Sequence, residues 1–312
     1  MKLCLFDDFI PGKIIGETVV SLAPLMPELM AMPGRYRMQE LIAAWDRVGP
    51  AVADYDNKPV TLSSVRLRAP VPRPTKLLCA QANFREGLER TNRPVGLFLK
   101  ASSCVIGPGD TVELRHPDVA VFHHEPELAL IIRKPARDVP LARAMDYVFG
   151  YTCMMDLSAR GMGGFVGFAD KSHDGFAPMG PWIVTADEIE DPQSLQVRLW
   201  VDGELRHDYN MDDMAYPIAR LIEWASTINT LEAGDVISCG VNHQGLGPIQ
   251  DGETVVMEIE QVGRLSVNVQ DPHKRKWPKG IDHEMAAWVK DSIAGKRVPL
   301  PSIFKGRKGY GE

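Results

Sequence analysis

Two carboxylates stand two residues apart inside an otherwise apolar run, and this pair constrains the fold more than any other feature of the chain. Glu125 and Glu127 lead into residues 128–132, an apolar stretch typical of a buried strand. Side chains at positions i and i+2 of a strand lie on the same face, so we expect both carboxylates to converge. Buried like charges repel unless a cation lies between them, and hard cations such as Mg²⁺ and Ca²⁺ prefer oxygen ligands. The sequence therefore predicts a metal site here, with a solvated edge strand as the alternative.

Composition narrows the class of protein. The 312 residues are 45% hydrophobic and 24% charged with a net charge of −6, which is typical of a globular domain with a large core. No basic stripe with interleaved aromatic residues is present, so we expect no nucleic-acid partner. The 5 cysteines are scattered without a CxxC pair, which argues against a zinc site or a disulfide framework. Neither a signal peptide nor a membrane span is predicted, which favours the cytoplasm and no membrane partner.

The order of motifs predicts three regions. Residues 1–70 form a small N-terminal domain with a strand over 1–6 and an amphipathic helix over 37–48, followed by an extended proline-rich linker over 68–75. Residues 76–270 form a β-rich core with a hairpin at Asp202-Gly203 and a helix over 219–228. The core strands are predicted over residues 76–80, 103–106, 128–132, 148–154, 182–185, 196–201, 236–238, 254–259 and 263–269. Residues 271–312 form a tail with a helix over 283–293, solvated charge runs, and packing on the core or on a dimer partner.

Two further charged residues lie in segments that favour a buried site. Asp156 follows the apolar residues 148–155, so it is either a third metal ligand or the N-cap of a short helix. Lys171 precedes a glycine-containing apolar segment, where it either supplies a positive charge to an anionic substrate or is solvated.

A glycine-rich loop over residues 240–248 follows the predicted strand 236–238. Such loops allow backbone N–H groups to approach a ligand closely, although a plain turn is the alternative. The loop lacks the GK[ST] ending of a phosphate-binding P-loop. It carries three hydrogen-bonding side chains, which are Asn242, His243 and Gln244.

Six segments in order resemble the fumarylacetoacetate hydrolase family, in its branch of acylpyruvate hydrolases and 2-hydroxyhepta-2,4-diene-1,7-dioate isomerases. They are residues 98–110, 123–128, 150–160, 171–185, 230–237 and 252–260. The resemblance implies a β-rich α+β fold, namely a mixed β-sandwich roll with a smaller N-terminal domain, and a homodimer. It also implies Mg²⁺ or Mn²⁺ (Ca²⁺ in crystals) on Glu125, Glu127 and Asp156, with Lys171 as a catalytic residue.

The resemblance further implies a small-molecule substrate, a β-diketo or 2-keto acid like acylpyruvate or fumarylacetoacetate, and a role in aromatic catabolism. Hydrolysis of a C–C bond is the first expectation. Isomerase, hydratase, lyase or decarboxylase chemistry through a metal-bound enolate is the alternative, as is a non-catalytic metal-binding relative. We expect substrate contacts from five residues, which are Arg85, Lys100, Arg160, Asn242 and Gln244.

The chain departs from the family where water is usually activated. Many hydrolytic members carry the pattern Asn-Tyr-x-x-His-x-x-Glu, in which the histidine and the glutamate act as a general base. Here Gly87 stands at the histidine position and Arg90 at the glutamate position. Another base is one explanation, with His243, Glu86 and Glu89 as the nearest candidates in the sequence. A reaction that needs no water is the second, and a metal-binding relative without turnover is the third.

Overall fold

β-strands make up most of the regular structure in the computed structural model, which describes residues 1–163, 166–305 and 307. Within those residues the strands are β1 (Lys2–Phe6), β2 (Ile10–Ile15), β3 (Thr18–Ser21), β4 (Val60–Thr61), β5 (Leu67–Arg68), β6 (Leu77–Ala80), β7 (Leu97–Lys100), β8 (Val105–Ile106), β9 (Thr111–Glu113), β10 (Val121–His123), β11 (Pro126–Ile132), β12 (Val148–Met155), β13 (Ser158–Arg160), β14 (Ala177–Thr185), β15 (Gln196–Val201), β16 (Glu204–Asn210), β17 (Val236–Ser238), β18 (Thr254–Ile259) and β19 (Gly263–Gln270).

The helices are fewer and mostly short. They are α1 (Pro27–Met30), α2 (Arg37–Ala43), α3 (Trp45–Asp54), α4 (Phe168–Lys171), α5 (Ile218–Ile228) and α6 (His283–Ile293). Short 3₁₀ helices cover Gly34–Tyr36, Leu62–Ser64, Ser102–Cys104, Leu141–Tyr147, Ala186–Glu188, Met211–Asp213, His243–Gly245 and Ser302–Phe304. Within the described parts of the chain, no helix combines the length and the apolar character needed to cross a bilayer.

The largest sheet has 12 strands, ten of them in the order β4-β3-β2-β1-β14-β12-β11-β17-β6-β7, with β5 beside β1 and β8 beside β14. Strand β1 pairs antiparallel with β14 through Lys2 and Val184, so the N-terminal strands extend the sheet of the core. The division of the chain into separate domains at residues 70–76 and 271 stays a prediction.

Strand β11 is buried on both faces, which explains its continuous apolar run. Leu128 and Leu130 face a core shared with the five-stranded sheet β16-β15-β18-β19-β9. Ala129 and Ile131 face the opposite way, into a second core that includes Leu41 of α2. These two sheets, the small sheet of β10 and β13 and the flanking helices give the mixed, β-rich α+β architecture that the resemblance implies.

Local signals predicted many elements correctly. The hairpin between β15 and β16 turns at Asp202 and Gly203, whose φ angles of 49° and 82° are the two positive values that a type I′ turn requires. Helix α5 begins one residue before its predicted start, and α6 has its predicted bounds.

The predicted helix over residues 37–48 is wrong as a single element. The chain forms α2 and α3 with a break at Ala44. After the break, α3 directs the indole ring of Trp45 onto Phe149, with the ring centroids 4.9 Å apart. Packing against the sheet therefore divides a stretch whose local pattern is helical throughout.

The tail's charge runs are predicted to be solvated, and for the run over residues 274–276 this is wrong at the central Arg275. The guanidinium of Arg275 donates to the buried Asp271 at 2.9 Å and to the carbonyl oxygens of Leu114 and His116, each at 2.6 Å. It also lies over the ring of Phe122, 4.9 Å from the centroid. Arg275 thus fastens the start of the tail to the core.

Replacement of this arginine should loosen the tail. Arg275→Met leaves the buried Asp271 carboxylate without its cation, so we expect the free energy of unfolding to fall by about 3 kcal/mol in urea titrations. Lys276→Met, a change at an exposed neighbour, is the control and should cost less than about 0.5 kcal/mol. Equal effects from the two variants would contradict the anchoring role.

Candidate metal centre

Strand register brings three carboxylates together. Pro126 of β11 pairs with Met155 of β12, so Glu125 and Asp156 lie opposite each other just beyond the paired ends. The amide of Asp156 donates to the carbonyl oxygen of Glu125 at 2.8 Å, which extends the ladder by one step. Glu127 lies on the same face of β11 as Glu125, and one oxygen from each of the three carboxylates lies within 4.8 Å of the others.

Cations balance two of these buried carboxylates. The ammonium of Lys171 bridges Glu125 and Asp156, at 2.7 Å from an oxygen of each. Arg160 of β13 forms a second salt bridge to Glu125. Burial alone would raise the pKa of Glu125, but the charges of Lys171 and Arg160 hold it well below its usual range. Glu125 is therefore ionised at neutral pH.

The same ion pairs also determine the protonation state of Lys171. Burial alone would lower the pKa of this lysine, but the Asp156 and Glu125 carboxylates raise it above its ordinary value. Lys171 therefore keeps its proton and serves as a fixed positive charge rather than as a base.

Among the described residues, no cation forms a salt bridge with Glu127. Its carboxylate accepts hydrogen bonds from Ser238 Oγ at 2.5 Å and from the Gly240 amide at 3.0 Å, and the side chain is buried. Burial, together with the charges of Asp156 and Glu125, raises the pKa of Glu127 to about 8. The charge of Lys171 lowers this pKa only in part, so the protonated form of Glu127 is favoured at neutral pH.

The donor set fits a hard divalent cation. All three groups offer carboxylate oxygens, the ligands that Mg²⁺ and Mn²⁺ prefer, and their mutual distances suit a shared ion. A cation beside Glu127 would relieve the desolvation that now favours its protonated form. Glu125, Glu127 and Asp156 would hold the ion.

A second polar cluster joins the glycine loop to the β6–β7 connection. The backbone amide of His243 donates to both carboxylate oxygens of Glu86 at 2.9 Å, and its Nδ1 lies 2.7 Å from Glu86 Oε1. Glu86 is buried and takes a positive φ of 56°, an unfavourable conformation that these contacts stabilise. The pair leaves Nε2 of His243 available to the neighbouring cavity.

The metal ligands and His243 line one cavity of about 360 Å³. Arg160 and Lys171 also line it. Its remaining wall comes from the β6–β7 connection, from Val166 and from α6, with Met285, Trp288, Val289, Ser292 and Ile293. The C-terminal tail, predicted to pack on the core or on a partner subunit, therefore supplies a wall of the candidate site.

Five residues are predicted to contact the substrate, and one of them lies in the described cavity wall. Arg160 lies in the cavity wall, as a substrate contact requires. Lys100 is buried behind the site and donates to Asp156 at 2.5 Å and to the Leu157 carbonyl at 2.9 Å. It is not among the described residues that line the cavity, so it supports a metal ligand instead.

Three other predicted substrate contacts also lie outside the described cavity wall. Arg85 donates to the Asp212 carbonyl at 2.6 Å, and Asn242 donates to Asp213 at 2.8 Å. Gln244 donates to Glu86 at 2.9 Å and so braces the Glu86–His243 pair. These contacts link the loops behind His243, and a direct role in substrate binding stays a prediction.

Sequence reasoning missed several residues of the site. Arg93, in the connection after β6, lines the cavity and donates to Ser292 of α6 at 2.5 Å. Ser238 is not predicted as a site residue, although its hydroxyl donates to the Glu127 carboxylate. The only available signals were the predicted helix over 283–293 and the position of Ser238 before the glycine loop, and neither pattern specifies a partner.

The chain is similar to characterised proteins over most of its length. Residues 76–270 match the family model described as fumarylacetoacetate (FAA) hydrolase C-terminal. A maleylpyruvate hydrolase of Aquipseudomonas alcaligenes is 34% identical over 291 residues, covering 86% of this chain and 99% of the relative. The oxaloacetate tautomerase YisK of Bacillus subtilis is 32% identical over 268 residues, covering 77% and 87%. The crystal structure of maleylpyruvate hydrolase from Sphingobium sp. SYK-6 in complex with manganese(II) ion and pyruvate is 35% identical with a TM-score of 0.80, covering 87% of this chain and 99% of that one.

Metal binding should depend on the protonation of Glu127. Because this group must lose a proton to bind a cation, we expect Mn²⁺ affinity to rise by up to about tenfold per pH unit towards a plateau near the pKa of about 8. Calorimetric titrations across this range test the dependence. Glu28→Gln, at an exposed carboxylate, should keep the same profile, whereas Glu127→Gln should abolish binding. An affinity independent of pH would contradict the raised pKa.

Proposed function

Because the chain belongs to the fumarylacetoacetate hydrolase family, we propose that it is a divalent-metal-dependent hydrolase that cleaves a C–C bond in a small β-diketo or 2-keto acid. The observation that carries the proposal is the single cavity that the three carboxylates share with Lys171 and His243. A related maleylpyruvate hydrolase of known structure binds manganese(II) and pyruvate, and pyruvate is the shared product of acylpyruvate hydrolysis. A bound Mg²⁺ or Mn²⁺ would supply Lewis-acid polarisation of the substrate's keto oxygen.

Lys171 and Arg160 provide fixed positive charge on the same wall. Cleavage of an acylpyruvate leaves negative charge on the pyruvate fragment as an enolate, which then takes up a proton. Lys171 stays protonated beside Asp156 and Glu125, so its charge is in place before the reaction begins. Such preorganised charge lowers the barrier where negative charge develops.

We propose that His243 activates water in the absence of the family's usual pair. With Nδ1 held by Glu86, Nε2 can accept a proton from a water molecule in the cavity. The hydroxyl oxygen adds to the acyl carbonyl carbon, the bond between that carbon and the pyruvate methylene breaks, and the bond electrons pass to the pyruvate fragment. Glu86 stabilises the histidinium in the meantime, as a buried carboxylate does in a catalytic triad.

Keto–enol isomerisation is the second candidate function. It needs the same cation site and the same Lys171 charge, but no attacking water. A specific observation favours it: the oxaloacetate tautomerase of Bacillus subtilis is similar over 77% of this chain. The family's usual His and Glu are also absent at Gly87 and Arg90, both of which are exposed.

Three further parts of the proposal rest on the sequence. We propose a homodimer in the cytoplasm, as the sequence predicts. We also propose a role in the breakdown of aromatic compounds, since a named maleylpyruvate hydrolase is similar over 86% of the chain. Sedimentation of the purified protein at several concentrations tests the oligomeric state.

The two reactions differ in their products. Protein treated with EDTA should be inactive on acetylpyruvate, and added Mn²⁺ should restore the release of pyruvate. In ¹⁸O-labelled water, hydrolysis places one labelled oxygen in the released acetate. Faster interconversion of the keto and enol forms of oxaloacetate, with no cleavage of oxaloacetate or acetylpyruvate, would favour the isomerase. No turnover of either compound would indicate a non-catalytic relative.

The proposed base should control the rate but not metal binding. His243→Ala removes the proton acceptor, so we expect kcat to fall by roughly a hundredfold or more, while Mn²⁺ affinity changes less than about twofold. His283→Ala, at an exposed histidine that begins α6, is the control and should keep the rate. An unchanged kcat in His243→Ala would remove this residue from the reaction.

A further inference from the structure

A second cavity, of about 440 Å³, lies where the N-terminal strands meet the core. Its described lining comes from the β1–β2 turn, the 3₁₀ helix at Gly34–Tyr36, strand β5 with the proline-rich linker, and strand β8. It shares no described lining residue with the cavity of the metal ligands. Sites for small molecules commonly have volumes of roughly 300 to 1,000 Å³, so this cavity has the size of a binding site.

Three arginines line this second cavity, and no described carboxylate forms a salt bridge with any of them. They are Arg35, Arg68 and Arg73. The same wall carries two acids, Asp8 and Asp110. Asp110 is already paired with Arg66 at 2.6 Å, so only Asp8 can offset one of the three positive charges. The described wall therefore carries an excess of positive charge, which favours an anionic ligand.

Backbone carbonyl groups hold two of the arginines without neutralising them. Nη1 of Arg73 donates to the carbonyl oxygens of Pro72 and Ser102, at 3.0 and 3.1 Å. Nε of Arg68 donates to the carbonyl oxygen of Asp7 at 2.7 Å. Each guanidinium is thus fixed through one nitrogen, and its other nitrogens have no acceptor among the described residues. Both arginines retain their charge and unused donors for a ligand.

An aromatic ring supports Arg68 from the β1–β2 turn. The guanidinium lies over the ring of Phe9, 5.2 Å from the centroid. Phe9 takes a φ of 55°, a conformation that is unfavourable for a bulky residue. Its side chain packs closely on Gly34, where an added Cβ would lie 2.7 Å from the Cβ of Phe9. These contacts stabilise the turn and keep the ring and the cation on one wall of the cavity.

Apolar side chains lie beside the arginines. Pro33, Pro72, Val105 and Ile106 line the same cavity. Because an apolar group gains free energy from contact with such side chains, the ligand that fits combines an anionic group with a small apolar body.

The number of arginines favours a phosphate group over a carboxylate. A carboxylate carries one charge and two oxygens, which a single guanidinium satisfies in a bidentate pair. A phosphate monoester carries a charge of about −1.5 to −2 at pH 7 and three acceptor oxygens. Guanidinium groups from three separate segments of the chain suit that larger charge and larger set of acceptors.

We propose that this cavity binds a phosphate monoester with a small apolar body, through Arg35, Arg68 and Arg73. The guanidinium groups donate hydrogen bonds to the phosphate oxygens, and the apolar side chains contact the body of the ligand. The cavity contains none of the metal ligands or candidate catalytic residues, so the inference does not depend on the proposed function.

Phenyl phosphate and phenyl sulfate isolate the charge of the bound group. They share a ring and a tetrahedral head group, but above about pH 7 the phosphate carries close to two negative charges and the sulfate carries one. Calorimetric titrations use the full chain after EDTA treatment, which avoids binding of phosphate to a metal ion. We expect phenyl phosphate to bind at least about tenfold more tightly than phenyl sulfate, and more tightly than inorganic phosphate, which lacks the ring. Equal affinities for phenyl phosphate and phenyl sulfate, or no binding of phenyl phosphate, would overturn the proposal.

Arg35→Met tests the location with little risk to the fold, because this arginine is exposed and its side chain makes no hydrogen bond to a described residue. We expect the affinity for phenyl phosphate to fall roughly tenfold, and Arg68→Met and Arg73→Met should lower it at least as much. Arg137→Met changes a side chain that is 78% exposed and outside this cavity, so the affinity should stay the same. An unchanged affinity in Arg35→Met would overturn the assignment, even if either of the other two variants fails to fold.

The metal cavity is the competing location for the phosphate group, because it also contains cations. Arg93→Met changes a cation of that cavity and should leave the affinity for phenyl phosphate within about twofold. Loss of binding in Arg93→Met, together with retained binding in Arg35→Met, would place the ligand in the metal cavity and overturn the proposal. Because binding is measured without turnover, the result stands whether or not the protein hydrolyses an acylpyruvate.

Discussion

The electrostatic balance of three buried carboxylates is the constraint on which the rest of the site depends. Glu125, Glu127 and Asp156 are drawn together by the register of β11 and β12, and each is at most 3% exposed. Their mutual repulsion in a dry interior requires positive charge nearby. Lys171 and Arg160 supply it to two of them, and the third carries a raised pKa instead. A divalent cation would supply the positive charge that favours the ionised form of Glu127.

The cavity around this centre combines segments that lie between Ala80 and Ile293 in the sequence. Strand β11 provides Glu127, and the residues next to the paired ends of β11 and β12 provide Glu125 and Asp156. The loop after β17 provides His243, and the tail helix α6 forms the outer wall. The tail reaches this position because Arg275 fastens its beginning to the core and because Asp282, the N-cap of α6, lies 3.2 Å from His123. The wall on this side of the cavity therefore depends on how residues 271–293 pack on the core.

Local sequence patterns predicted the elements and the acids well, and the contacts between distant segments poorly. Glu125 and Glu127 could be placed on one face from their spacing, and the hairpin at Asp202 follows from turn chemistry. The sequence predicts Lys100 as a substrate contact, whereas in the structure its ammonium donates to Asp156 from the side away from the cavity. Residue type and spacing indicate that a lysine has a function, but they do not indicate which side of a carboxylate it approaches.

By itself the sequence determined which strands are buried and which carboxylates share a face, because a strand repeats every two residues and a ladder of hydrogen bonds preserves that repeat. Only the tertiary structure decided that Glu86 meets His243, 157 positions away, and that Arg93 faces the cavity beside α6. Such contacts arise when separate elements pack together, and the packing depends on the shapes of many side chains at once. No local period carries that information, so the metal end of the site could be read from the chain while its far end required the fold.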